Sequence, residues 1–337
     1  HAGWSYEQLS EYYNPEDFFD EVYCLFPYEE NKIVGKINYI KAEPEQFKKI
    51  IKQIKPDVIR GYGGRWASIY ANANRVENIP IIISVHDVNP LLIDSSLRWA
   101  DRVVCMSKAV KEAVMKITHM DENIISILPN RIDVQKFSKK EDESFKKYLI
   151  KRYGEGKFIL HVGRKAEQKN LDTVIKSMQY LPKEYKAVFL GAGDSESYRI
   201  LAKKLNVENR CFFEDSVSSD KLPYYYSWCD CMCTPSRWEG FGFVFIEAAA
   251  CECAIVTSDI APMNEYLKDK KNAILVKNYT DEKELSDAIF EATQDNEKIC
   301  SMKKQARDVA VCFKKEEVDK KEVDIYINVI SAGANNN

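Results

Sequence analysis

One stretch constrains this chain more than any other: Pro235-Ser236-Arg237-Trp238-Glu239-Gly240-Phe241-Gly242-Phe243-Val244-Phe245-Ile246-Glu247. Two carboxylates stand eight residues apart, with two glycines and then an apolar run between them. Upstream, residues 229–234 alternate like a strand that stops at Pro235. Downstream, residues 243–251 read as an alanine-rich helix. The pattern is strand, glycine-bearing turn, helix N-terminus. The first N–H groups of such a helix point outward and attract anions. Gly240 and Gly242 would let a bulky ligand come close to the main chain. Glu247 lies among residues that favour burial on every side, and a buried carboxylate is costly unless hydrogen-bonded. A sugar diol would supply two donors; a wet stripe on a half-buried helix is the plainer alternative.

Pro-Ser-x-x-Glu-Gly-Phe-Gly followed by Ile-Glu-Ala resembles the E-x7-E signature of retaining glycosyltransferases with the GT-B fold, in particular glycosyltransferase family 4. The resemblance runs over residues 57–293 and is strongest over 158–276. It implies an α/β chain of two Rossmann-like domains with parallel sheets facing a cleft. It further implies transfer of a sugar, with retained anomeric configuration, from a nucleotide-diphosphate sugar to a glycan, a lipid or a small molecule. A nucleotide-sugar epimerase on the same scaffold and a non-catalytic binding module are the competing readings.

The remaining motifs fall into place along the chain. The opening residues enter directly a polar helical segment, residues 5–13, followed by a strand over 20–26. A Rossmann-like domain normally opens on an apolar strand and a glycine loop, so the first strand is expected to be missing. Residues 45–55 form an amphipathic helix, with Phe47, Ile50, Ile51 and Ile54 on one face and Lys48, Lys49, Lys52 and Lys55 on the other. A strand over 56–59 precedes the glycine-rich turn at 61–64 and a helix over 67–76. The apolar strand 79–85 ends at His86, where ligands of open α/β sheets gather. The resemblance sets His86 against the donor sugar; a loop histidine is otherwise plain structure. Ser107 is an N-cap for residues 108–118. The expected domains are 1–137 on the acceptor side, 138–313 for the nucleotide sugar, and 314–337 as a C-terminal helix and tail, fraying from 331.

The second half restarts the strand–helix rhythm at Phe158, and its first strand ends in Gly163-Arg164. Arg164 and Lys169 bracket the following loop, where a guanidinium fork and an ammonium could clamp a diphosphate. The resemblance assigns them that role, with Gly163 beside them. It brings Ser216 and Val217 to the nucleotide base, Glu239 to the sugar ring, and Glu247 to the ribose. Gly242 and the N–H groups of Phe243 and Val244 would meet the phosphates. The expected catalytic set is Glu239, Arg164, Lys169 and His86, with no metal and no resident cofactor.

Composition narrows the partners. The 337 residues carry a net charge of -3, which gives no electrostatic case for nucleic acid. No apolar run reaches the roughly 18–20 residues that span a bilayer. No signal peptide is visible, and the expected location is the cytoplasm, with peripheral membrane contact through the N-terminal domain as an option. Of ten cysteines, Cys229, Cys231 and Cys233 alternate along one strand and Cys251 and Cys253 flank Glu252. No C-x2-C spacing occurs. Reduced, mostly buried thiols are expected, with a metal site between these two segments as the other reading.

Overall fold

A computed structural model of the chain describes residues 6–26 and 30–334. Residues 1–5 of the expected opening and 335–337 of the expected tail lie outside them. The chain divides into two compact units, His1–Arg131 with Lys315–Asn337, and Ile132–Lys314.

In the first unit, α1 (Tyr6–Tyr13) leads to β1 (Val22–Phe26), β2 (Lys32–Val34) and β3 (Ile37–Lys41). These three form a sheet of order β1-β3-β2, parallel between β1 and β3 and antiparallel between β2 and β3. The β2–β3 hairpin was not expected. Its signal is weak: three-residue β2 is mostly exposed, and only Gly35, at φ +57, marks the turn. Helix α2 (Pro44–Ile54) opens on a capping box, the Glu43 N–H donating to Gln46 Oε1 at 2.9 Å.

The second sheet of this unit holds β4 (Ile59–Tyr62), β5 (Ile81–Val85), β6 (Arg102–Cys105) and β7 (Ile125–Ile127), all parallel and in chain order. Every residue of β5 is buried, as an interior parallel strand requires. Strand β4 starts where its expected span, 56–59, ends. Gly61 and Tyr62 pair with Ile83 and Ser84 instead of turning, and the missing Cβ at Gly61 leaves room for the Ile83 side chain, whose Cδ1 would lie 2.6 Å from it. Helix α3 (Arg65–Ala73) follows β4. Helix α4 (Lys108–Thr118) follows β6 and is capped by Ser107, whose Oγ accepts from the Val110 N–H at 3.2 Å. The strands β1 and β4 each end their sheet.

The last helix of the chain, Lys315–Ala334, belongs to this first unit. It is held there by charge: Arg131 reaches both Asp319 and Glu322, and Arg60 Nη2 lies 3.4 Å from Glu322 Oε1. All four side chains are largely buried. Residues 331–334 continue this helix instead of fraying, with Val329 buried just before them and Gly333 facing Pro80. The division between units falls after Arg131 rather than near Phe137, since Ile132 already pairs with Lys314 and its N–H donates to Phe313 O at 2.9 Å.

The second unit is one continuous doubly wound domain. It runs α5 (Glu143–Tyr153), β8 (Lys157–Val162), α6 (Leu171–Ser177), β9 (Tyr185–Leu190), α7 (Glu196–Lys204), β10 (Cys211–Glu214), α8 (Leu222–Trp228) and β11 (Cys231–Cys233). Then come α9 (Phe243–Ala250), β12 (Ile255–Ser258), α10 (Met263–Tyr266), β13 (Ile274–Val276), α11 (Glu282–Ala292) and α12 (Glu297–Val311). Its six strands are all parallel in the order β10-β9-β8-β11-β12-β13. The order reverses between β8 and β11, and loops leaving the carboxyl ends of those two strands are where such sheets hold ligands. Those loops carry Gly163–Lys169 and Pro235–Gly242.

Candidate functional site

The loops after β8 and β11 are laced together by backbone and side chain. The Arg237 N–H donates to Gln168 O at 2.8 Å, and Gln168 Nε2 donates to Trp238 O at 2.9 Å. Asn170, fully buried at φ +56, donates from Nδ2 to Pro235 O and to Tyr279 O, each at 3.0 Å. Arg237 closes the far side on Asp172 at 2.9 Å. Lys165 is buried, and its Nζ donates to the carbonyls of Gly191 and Glu214, tying the ends of β8, β9 and β10 together. Burial lowers its pKa. This lysine was read only as part of the loop; nothing in its spacing distinguishes a buried tie from a solvated cation.

Within that frame Lys169 and Glu239 meet. Lys169 Nζ donates to Glu239 Oε1, and Ser236 Oγ donates to the same oxygen at 2.7 Å. Both ionic side chains are about nine-tenths buried. The stem of Lys169 lies over Gly163, where φ is +152 and an added Cβ would stand 3.1 Å from Lys169 Cδ. Below it His161, buried, places Nε2 3.0 Å from Lys169 O. Burial lowers that imidazole to about 4, so it is neutral. Arg164 is exposed and touches Gln168 Oε1 at 3.3 Å.

Helix α9 begins at Gly242, whose φ of +82 and contact with the Phe245 ring leave no room for a side chain. No side chain caps this terminus, so the N–H groups of Phe243 and Val244 are the outward-facing donors of a helix start. One turn further, Glu247 is 5% exposed and accepts from the Tyr226 hydroxyl at 2.8 Å. Burial raises its pKa from 4.5 to about 7, against the pull of that hydroxyl and of Lys136. Tyr226 is the partner that sequence reasoning missed: it is one of three tyrosines in a row, Tyr224 to Tyr226, and nothing local singles it out.

Ser216 and Val217, after β10, line an open cavity of about 520 Å3 with Asp215, Lys221 and the aromatic residues Phe145, Tyr148, Tyr224 and Tyr225. Arg164, Lys169, Glu239 and Glu247 are not on its wall. His86 belongs to the first unit, at the end of β5, with its ring 6.1 Å from that of Tyr62. Burial, then Arg60, lowers its pKa to about 4, and its Nε2 has no partner among the described residues. The cysteines are free thiols. Cys229 Sγ and Cys253 Sγ lie 3.2 Å apart, and among the described residues no three metal-ligating side chains gather.

The family model described as "Glycosyl transferases group 1" matches residues 140–309, half of the chain. The chain belongs to the group 1 glycosyl transferases. A second model, "Glycosyltransferase Family 4", matches residues 11–136. Among relatives, an uncharacterized glycosyltransferase of Methanocaldococcus jannaschii is 27% identical over 76% of this chain and 71% of its own. The O-antigen chain mannosyltransferase RfbU of Salmonella typhimurium is 28% identical over 61% of this chain and 59% of its own. Solved structures of the same fold include Anabaena HepE in complex with UDP, with a TM-score of 0.76 at 17% identity, covering 87% of this chain and 86% of that one. Sucrose-phosphate synthase of Thermosynechococcus elongatus reaches 0.81 at 18% identity, covering 93% and 90%. The fold of this group 1 transferase is thus GT-B, with two Rossmann-like domains, as the motif resemblance implied.

Proposed function

We propose that this glycosyltransferase moves a sugar from a nucleotide-diphosphate donor to a hydroxyl of a glycan or lipid-linked acceptor, with retention. The observation that carries the reading is the contact of Lys169 with Glu239 between two loops at the sheet's switch point, next to the uncapped start of α9. Lys169 has three N–H bonds and gives one to Glu239, leaving two for a diphosphate oxygen. Arg164 supplies a second cation and Phe243 and Val244 supply amides. Fixed donors aimed at developing negative charge act as electrostatic catalysts, and losing one costs about 3–4 kcal/mol of barrier. This reading needs no resident cofactor. Ser216 and Val217 bind the base beside the aromatic cavity, and Glu247 accepts from the ribose. HepE bears UDP, which makes UDP sugars the first donors to test.

In the transfer step the bond from the anomeric carbon to the diphosphate oxygen breaks, its electron pair leaving on phosphate. The acceptor oxygen bonds to the same face of that carbon, and its proton passes to the departing phosphate. Glu239 Oε1 already accepts from Lys169 and Ser236, so it stabilises positive charge near the ring rather than attacking it.

A thermal-shift screen against UDP, GDP and ADP sugars identifies the donor, since a ligand at 100 Kd stabilises by about 2.7 kcal/mol. Glu239→Ala should then depress kcat, while Glu247→Ala raises the donor KM. Anomeric NMR of the product reports configuration. An inverted product removes the same-face step, and release of an altered sugar without acceptor removes the transferase reading.

A further inference from the structure

Helices α8 and α9 meet in two places. The Tyr226 hydroxyl donates to Glu247 at 2.8 Å. Past the ends of both helices, Cys229 Sγ and Cys253 Sγ stand 3.2 Å apart. Cys229 follows α8 directly, and Cys253 lies in the turn after α9.

The backbone fixes both positions. The Cys229 N–H donates to Tyr225 O at 3.1 Å, which closes α8. After α9 the chain reverses at Glu252, where φ is +55, and the Cys253 N–H returns to Ala248 O at 3.0 Å. Both residues lead into neighbouring parallel strands, with Met232 opposite Ile255 and the Met232 N–H donating to Ala254 O at 2.8 Å. The pair therefore lies at the amino ends of β11 and β12, the edge of the sheet opposite the loops that carry Lys169 and Glu239. Each thiol hydrogen has a carbonyl to go to, Tyr226 O at 3.4 Å from Cys229 and Ala254 O at 3.3 Å from Cys253. The sulfur lone pairs are then free to face each other, and about 1 Å of approach brings the two atoms within bonding reach. Access differs between them: Cys229 is half-buried and Cys253 is buried. Among the described residues no third metal ligand joins them.

We infer that Cys229 and Cys253 are a redox pair that peroxide closes into a disulfide, clamping α8 to the turn after α9. The more open Cys229 reacts first. Its sulfur bonds to one peroxide oxygen as the O–O bond breaks, giving a sulfenic acid and a water. The Cys253 sulfur then attacks the Cys229 sulfur, the S–O bond breaks, and the oxygen leaves as a second water with the Cys253 proton. In sum the two thiols lose two electrons and two protons, and one peroxide becomes two waters. Burial raises the pKa of the Cys229 thiol, which keeps the thiolate scarce and the first step slow. The pair thus answers sustained oxidant rather than a trace. This modification site is independent of the transfer reaction.

The test uses the full chain with its two exposed cysteines replaced, Cys300→Ser and Cys312→Ser, held under native conditions in excess hydrogen peroxide. Peptide mapping without reductant should recover a Cys229–Cys253 link, and dithiothreitol should erase it. A bond across 24 residues should raise the thermal transition by about 5 °C or more and slow hydrogen exchange in α8. Cys229→Ser should show neither change. Cys253→Ala should stop at a Cys229 sulfenic acid, captured by dimedone. The inference is overturned if the native chain yields no Cys229–Cys253 peptide, if Cys229 pairs with Cys231 or Cys251 instead, or if the link forms only after unfolding in urea. A link that leaves the thermal transition unmoved also overturns it, since the bond then clamps nothing.

Discussion

Glu247 makes a sharp prediction because its carboxyl is neutralised by its surroundings. It is 5% exposed, and burial lifts its pKa from 4.5 to about 7. A raised carboxyl pKa means that the folded chain keeps a proton that the unfolded chain gives up. The stability that comes from the neutral form is complete below about pH 4.5 and is lost as pH climbs to about 7. At about 1.4 kcal/mol per pKa unit, the gap between the two plateaus is about 3 kcal/mol. Glu247→Gln keeps the shape and the oxygen that accepts from Tyr226, but it cannot ionise. In urea denaturation, parent and variant should agree within about 1 kcal/mol at pH 5. At pH 8 the variant should be the more stable by about 2–3 kcal/mol. Comparing the two chains at each pH cancels the titration of every other group. A difference that is the same at pH 5 and pH 8 would refute the reasoning, whichever chain is the more stable. Donor affinity should run the opposite way in the parent, weakening as pH falls through about 7, because a protonated carboxyl accepts the ribose hydroxyls less well.

Three further outcomes follow from the same geometry. Tyr226→Phe removes the donor at 2.8 Å from Glu247; it should cost about 1–3 kcal/mol at pH 8 and raise the donor KM, both readable from urea melts and initial rates. Gly163→Ala forces a Cβ against Lys169 at a φ of +152; a loss of more than about 1 kcal/mol is expected, with a fall in kcat that Gly156→Ala, away from Lys169, should not reproduce. Arg131→Ala strands Asp319 and Glu322 inside the first unit; breaking such a buried set costs about 3–5 kcal/mol, and Arg131→Met with Asp319→Leu and Glu322→Leu should recover part of that loss in thermal melts.

The second unit was almost wholly legible from its amino acids. Strands β8, β9 and β11 are short apolar runs followed by Gly163, Gly191 and Pro235, and α5, α11 and α12 start at capping residues such as Asp281, whose side chain accepts from the Lys283 and Glu284 N–H groups. The stretch from Pro235 to Glu247 was legible for the same reason: strand, turn and helix each announce themselves locally. What stayed hidden depends on partners far along the chain. No local pattern says that Lys169 meets Glu239, 70 residues on, or that Tyr226 rather than its neighbours faces Glu247. The first unit was read less well. Its β2–β3 hairpin is too short and exposed for periodicity to register, and β4 runs through glycines that look like a turn.

The order in which the polypeptide leaves the ribosome bears on the discontinuous make-up of the first unit. Arg131 is separated from Asp319 by 188 residues and from Glu322 by 191. At a synthesis rate of about 5–20 residues per second, its guanidinium waits roughly 10–40 s for its counter-charges to be made. The uninterrupted nucleotide-side unit can mature during that interval, whereas the earlier-made half must stay loose until the final helix arrives. Nascent chains halted shortly before Asp319 should therefore be cut by protease within their first 131 residues while the segment after them resists.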